Sequence, residues 1–379
     1  MRKMTNKYHW VNKGFKSFSF ILFPLYLCLL FCSKSSTTEP EPSRPQVEVT
    51  EDITEDTVWE SGRDYIVQGS VIVQLEATLS IEKDVHVFFK PSDNNEKGQL
   101  EVYGKIFIGT NDSTKRIIFK SLFHGQDEEL QNGIYMRNST NLTSFTGCSF
   151  NYLLYGIQVL NSRISISNCN FEKCNYGIKL SRCDSFFVSN CKFIENNYCI
   201  KIELSQEITD SSISIRSNYF SECSIYAIEI NNQSVSYIND NVFKNCTLAI
   251  LNQNGSKSNI RYNNFIDCDE GIYYANSQYG NISNNIFTSG DIFVKLGQNS
   301  NINVNFNNFD MANDYNIQIK LGNDVINNAE NNWWGTTQIS EIERLIYEEI
   351  DDNSEVECGS IDYEPFATSR YTDNCGIRE

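Results

Sequence analysis

A Phe returns through the middle of this chain at nearly constant spacing. The row is Phe150, Phe171, Phe193, Phe220, Phe243, Phe265, Phe287 and Phe309, closed by Trp333, with intervals of 21, 22, 27, 23, 22, 22, 22 and 24 residues. Two residues before each ring stands Cys148, Cys169, Cys191, Asn218, Asn241, Asn263, Asn285, Asn307 or Asn331. Seven or eight residues after come Ile157, Ile178, Ile200, Ile228, Ile250, Ile272, Val294 and Ile317. Two further on an apolar residue follows again, with Asn252 breaking the row. A unit this short cannot bury its own apolar face and must stack on its neighbours.

A period near 22 is too short for a pair of helices and too long for one strand. Inside each unit apolar residues alternate, as in "GIKL", "CIKI" and "AIEI", which is the period of a strand. Several short strands joined by Asn, Gly and Ser corners make one coil of a parallel β-helix. The expected class is all-β, a single-domain right-handed parallel β-helix of about 22 residues per coil with a C-terminal capping helix. Equivalent residues then stand about 4.8 Å apart along the axis. Phe and Ile columns fill the core, and the Asn column can chain its amides along the axis.

Less regular alternating segments come first: "DYIVQGSVIVQLEATLSIEKDVHVFFKP", "GQLEVYGKIFIGT" and "RIIFKS". They resemble the opening coils of bacterial right-handed β-helix repeat proteins of the pectate lyase-like superfamily. "NNWWGTT" at 331–337 and "IDYEPF" at 361–366 resemble the closing motif of many such proteins. Between them Ile339, Ile342, Leu345 and Ile346 have helical spacing, predicting an amphipathic helix over the last coil that covers a strand edge. The resemblance covers about residues 57–368. It implies the architecture and leaves activity open, because lyases, hydrolases, epimerases and non-catalytic surface proteins share this fold.

The first 32 residues read as an export signal: "MRKMTNKYHWVNKGFK" holds five basic residues and no acid, and an apolar run of 14 follows. "LLFC" at 29–32 resembles a bacterial lipoprotein processing site, which implies lipid attachment at Cys32 and a membrane partner through that anchor. Phe31 stands where the family has a small residue; a plain secretory signal is the alternative. The expected organisation is a leader over 1–32, a polar tether over 33–56, the β-helix over 57–335, and a helix with cap and tail over 336–379. Location follows as an outer-membrane or cell-surface lipoprotein, or otherwise a periplasmic or secreted protein.

Removing the leader's five bases from 31 leaves 26 against 48 acidic residues, a net charge of −22. So acidic a protein repels nucleic acid. Only His86 and His124 lie outside the leader, too few for a three-His metal site in one chain. A monomer is expected.

Four groups of residues could carry function. Tyr155, Tyr176 and Tyr198 share a column, followed at nearly the same place by Tyr226; they are either a platform for a sugar or a stack that supports a corner. Lys179 and Lys201 hold the same outward place on adjacent coils with Glu203 two residues on, which makes them candidates for proton abstraction or simply a solvated face. Glu195, Glu222 and Asp267 share a corner that could hold Ca²⁺, although acidic corners are expected at this net charge and no cofactor is required. Cys358 and Cys375 flank a polar tail and could pin it as a disulfide, while the buried Cys columns read as small apolar side chains. No set of base, cation ligands and substrate clamp converges. The expected function is binding of carbohydrate or another envelope component without catalysis; the alternative is a polysaccharide lyase or glycoside hydrolase acting on an acidic polysaccharide.

Overall fold

The computed structural model describes residues 43–112, 114–123, 129–139, 142–183, 185–203, 212–231, 235–277, 279–320, 325–348 and 359–372. The leader with Cys32, and both Cys358 and Cys375, lie outside these residues. From Arg44 onward the chain forms one unit.

That unit is a right-handed parallel β-helix with three faces. Between the two ends each coil contributes one strand to sheet A, one to sheet B and one to sheet C, so strands three apart in the chain are hydrogen-bonded neighbours. Sheet A runs from Gln46–Val49 to Asn308–Phe309, sheet B from Ser70–Val73 to Ile346–Glu348, and sheet C from Thr57–Trp59 to Ile302–Asn305. The registers align the repeat: Phe171 pairs with Phe193, Ile178 with Ile200, and Lys179 with Lys201. Right-handed crossovers are the normal outcome when a twisted strand feeds a parallel neighbour.

The core is the set of columns that the spacing predicts. Phe rings from sheet A stack with centroids 4.8 Å apart at Phe150–Phe171 and Phe171–Phe193, and 5.0 Å apart at Phe243–Phe265. Phe119 extends the stack one coil earlier. Facing those rings, the first position of "GIKL" must be small. A Cβ on Gly177 would lie 2.6 Å from the Cys199 carbonyl and 3.2 Å from the Phe193 ring. At the break in the Ile row, buried Asn252 accepts from the Ser258 hydroxyl at 2.5 Å.

The corners explain the remaining composition. Most passages between sheets in the regular coils spend one residue in the left-handed region: Glu195, Glu222 and Asp267 between A and B, Asn161, Asn254 and Asn276 between B and C, Ser217, Asp240 and Asn284 between C and A. Asn and Asp tolerate that conformation better than most residues. Directly after the C-to-A corner runs the amide ladder. Asn241 Nδ2 donates to Asn263 Oδ1 at 3.0 Å, Asn263 to Asn285 at 3.0 Å, and Asn285 to Asn307 at 3.0 Å.

The structure departs from the sequence expectation in three places. The ladder ends on Asn332, which accepts from Asn307, and the aromatic stack ends on fully buried Trp334 rather than Trp333. Asn331 takes the left-handed corner that precedes every ladder residue, which moves the row one place. The closing helix spans only Ile339–Arg344, because Ile346–Glu348 adds instead as a strand beside Ile317–Ile319. That strand satisfies the backbone groups of the sheet edge directly, while Ile342 and Leu345 are buried as expected. At the other end, Gln46–Val49 pairs with Asp64–Val67 inside the stretch expected to be tether.

A charged clamp holds that first strand. Arg44 Nε contacts Asp64 at 2.8 Å, its Nη1 contacts Asp84 at 3.1 Å, and His86 Nδ1 lies 3.3 Å from Asp64. Burial first, and then the Arg44 charge, hold the His86 imidazole below its ordinary value of 6.5, outweighing Asp64 and Asp84. The unfolded chain therefore binds this proton more readily. The stability carried by the neutral ring is complete above pH 6.5 and is lost as pH falls toward the lowered folded value. Unfolding midpoints measured from about pH 7.5 to about pH 5 should fall less steeply in His86→Asn than in the parent.

Candidate functional site

The outer face of sheet B collects two of the four candidate groups. Tyr176 and Lys179 of strand Tyr176–Ser181 both lie outward with Tyr198 and Lys201 of strand Tyr198–Glu203, because alternation breaks at Gly177 and Cys199, which turn inward beside Ile178 and Ile200. Tyr155, Tyr176 and Tyr198 stack with centroids 5.1 and 4.6 Å apart, and Tyr226 closes the row edge-on at 5.7 Å. The rings therefore present their faces mainly to one another along the axis. A ligand lying on the sheet meets ring edges and phenolic oxygens.

The lysines lie against this row. Lys179 Nζ is 5.7 Å from the Tyr176 centroid, and Lys201 Nζ is 5.5 Å from that of Tyr198. Both ammonium groups are paired: Lys179 with Glu203 at 3.6 Å, and Lys201 with Glu203 at 3.3 Å and Glu229 at 3.1 Å. Burial opposes the charge on Lys201, but the hydrogen bonds and charges of Glu229 and Glu203 outweigh it and raise its pKa above the ordinary value. Glu229 is itself buried and also accepts from Gln253 at 2.9 Å. It was legible in principle, since "AIEI" puts it in the column of Lys201 one coil on. The same pattern recurs along the face, where Arg137 pairs with Glu101 at 2.8 Å and Lys295 with Glu270 at 2.6 Å.

Beside the Tyr row, at the A-to-B corner, lies a cleft of about 430 Å³ lined in part by Lys97, Glu129, Leu154, Lys173, Asn175 and Glu195. The Lys97–Glu129 pair, 2.8 Å long, separates it from a second hollow of about 390 Å³ that reaches Phe123 and Pro91. Both owe their walls to insertions that interrupt the period. Asn197 donates to Asn175 at 2.8 Å along the cleft and accepts from Ser224 at 2.6 Å. Spacing alone does not reveal this cleft, because Lys97 and Glu129 belong to irregular coils.

The other described candidates lie off the face of sheet B, with Glu195 in the wall of the corner cleft. Glu195 lies 3.7 Å from Lys173, and Asp267 accepts from the Ser289 hydroxyl at 2.5 Å. Among the described residues, no three His, Cys, Asp or Glu side chains are grouped to hold a metal. Among the described residues, the cysteines of both columns are buried. Burial pushes the Cys174 thiol up to about 12, so it stays protonated and unreactive. Asn196 fills the coil between Cys174 and Cys223; its carbonyl accepts from Cys174 N at 2.9 Å.

Three parallel sheets, a stacked aromatic core and a polar Tyr–Lys–Glu face define a parallel β-helix protein of the solenoid class. Residues 106–252 and 207–334 match the family model described as right handed beta helix region, and the chain belongs to that family. Solved structures with a similar fold include a mutant of the periplasmic alginate epimerase AlgG, at TM-score 0.55 and 14% identity over 79% of this chain and 77% of that one. AlgG without that mutation gives TM-score 0.48 and 14% identity over the same shares. A tailspike protein double mutant of E. coli bacteriophage HK620 gives TM-score 0.27 and 11% identity, over 82% and 58%. At these identities the likeness is one of fold. No curated protein matches the sequence.

Proposed function

We propose that this protein is exported, anchored by lipid at Cys32, and binds a carbohydrate chain along the sheet B face without chemical change. The observation that carries the reading is the state of Lys201. A proton abstractor must be neutral, and Glu229 and Glu203 hold this ammonium in its charged form. Charges that cancel within the face suit a polar ligand of low charge, contacted by Tyr hydroxyls, amides and the corner cleft. The epimerase whose fold is similar carries alginate in its name, which agrees with a glycan ligand.

Equilibrium binding of the full chain to a glycan panel tests this. At least one neutral or weakly charged glycan should bind, and Tyr176→Ser should weaken it by about threefold to tenfold. Silence across the panel removes the reading. Unsaturated sugar appearing from a uronate polymer incubated with Ca²⁺ replaces it with a lyase. Mass spectrometry of the protein's N-terminus decides the anchor separately.

A further inference from the structure

Sheet C has a composition unlike the rest of the molecule. Its eleven strands contain no Asp or Glu, in a chain whose formal net charge is −17. They carry five exposed cations: Lys105, Arg163, Arg216, Lys257 and Arg261. By contrast, sheet A strands include Glu48, Asp64 and Glu172, and sheet B strands include Glu101, Glu203, Glu229 and Glu270. Among the described residues, no ion pair joins Lys105, Arg216, Lys257 or Arg261 to a carboxylate. Lys257 lies over the Tyr279 ring, 5.5 Å from its centroid. Among the described residues, the carboxylates Asp56, Glu60, Glu82, Asp112 and Asp240 stand in the turns that border the sheet, outside its strands, and Asp56 accepts from Thr78 N at 2.9 Å.

The same face gathers exposed apolar side chains. Phe107 is 62% exposed, Val58 and Leu142 55%, Tyr237 47% and Phe187 39%. Phe107, Phe187 and Tyr237 share the outward column of the strand centres with Ser144, Ser165 and Ser214. Phe187 thus stands between Ser165 and Ser214, so unlike the Tyr row of sheet B its ring is not covered by a stacked neighbour. Arg216 and Arg261 lie two coils apart in a flanking column, about 9.6 Å at 4.8 Å per coil. Eleven strands make a face roughly 48 Å long.

We propose that the outer face of sheet C docks on an anionic lipid bilayer. The charge is complementary here, because a face whose strands carry cations and no carboxylate can approach anionic headgroups that repel the acidic remainder of the protein. Phe107, Phe187 and Tyr237 place aromatic rings at the interface, and Leu142 and Val58 add aliphatic area. The aliphatic side chains favour a bilayer over a soluble polyanion, which gains contact from rings and cations but little from Leu or Val. Docking along sheet C leaves sheet B, on another face of the prism, open to its ligand. The proposal does not depend on the sheet B reading, since either face can fail its own test alone.

Co-sedimentation of the full chain with vesicles of phosphatidylcholine, alone or with about one-third phosphatidylglycerol, tests this. Three variants accompany the parent: Arg216→Gln with Arg261→Gln, Phe107→Ser with Phe187→Ser, and Lys192→Gln with Lys244→Gln on sheet A as a charge-matched control. The leader is common to all four proteins and cancels from the comparison. The parent should prefer the mixed vesicles, with the arginine pair weakening retention by about tenfold to thirtyfold and the control by less than about twofold. The phenylalanine pair should weaken it severalfold at an unchanged unfolding midpoint; should that variant not fold, the arginine pair still decides. Equal losses in the arginine and lysine pairs overturn the proposal, as does a parent that ignores the mixed vesicles. Retention by a soluble uronate polymer without vesicle binding overturns it in favour of a glycan surface.

Discussion

Asn263→Ala should lower unfolding stability by about 3–5 kcal/mol, far more than any exposed Asn in the molecule. The Asn263 carbonyl oxygen accepts from Asn241 N and from Asn241 Nδ2, each at 3.0 Å. Its own amide donates to Ile238 O at 2.8 Å and to Asn285 Oδ1 at 3.0 Å. Ala leaves the Asn241 backbone N–H unpaired in a fully buried corner, at about 1–3 kcal/mol, and removes the side-chain bonds to Asn241, Ile238 and Asn285, at about 1 kcal/mol each. Asn197→Ala is the control: it removes an amide contact to Asn175 at an exposed corner and should cost less than about 1 kcal/mol. Urea unfolding gives both values, and amide exchange should show the coils of Asn241 and Asn285 loosening first, since a solenoid couples nearest neighbours. Equal losses in the two variants would show that the ladder is not a principal support.

Phe265→Ala should cost about 5 kcal/mol, the upper end of the range for a buried aromatic. The ring is sandwiched between Phe243 at 5.0 Å and Phe287 at 4.5 Å with interplanar angles of 8° and 5°. Truncation forfeits both stacked contacts and leaves a void that a hydrogen-bonded coil cannot collapse to fill. Phe265→Leu should recover about half of the loss, because most of the volume returns without the stacking. Phe306→Ala, at an exposed corner position, should change stability by less than about 1 kcal/mol. Thermal and urea unfolding of the three variants distinguish a packed aromatic column from a row of independent side chains.

Much of the sheet B face was legible one coil at a time. Lys179 and Lys201 stand outward in "GIKL" and "CIKI" because a strand alternates. Column neighbours also follow from the period, which is why Tyr155, Tyr176 and Tyr198 were expected to stack. Two things could not be read that way. The Tyr rings turn their faces along the axis, which depends on rotamers set by the packing of adjacent coils. The column of Glu229 follows from the repeat as well, but its burial and its 3.1 Å pairing with Lys201 do not, since they depend on how the side chains pack between coils.

From residue order alone came the repeat, the parallel coil of short strands and the identity of its core columns, since period-two alternation inside a 22-residue recurrence admits few other packings. Tertiary structure alone decided the ends and the charge pattern. Trp334 rather than Trp333 closes the stack because Asn331 is drawn into a left-handed corner. The last segment becomes a strand because an open sheet edge offers backbone partners that a helix cannot use. The absence of acid from sheet C emerges only when eleven strands from the whole length of the chain stand side by side, since no single strand of four or five residues distinguishes such a face from chance.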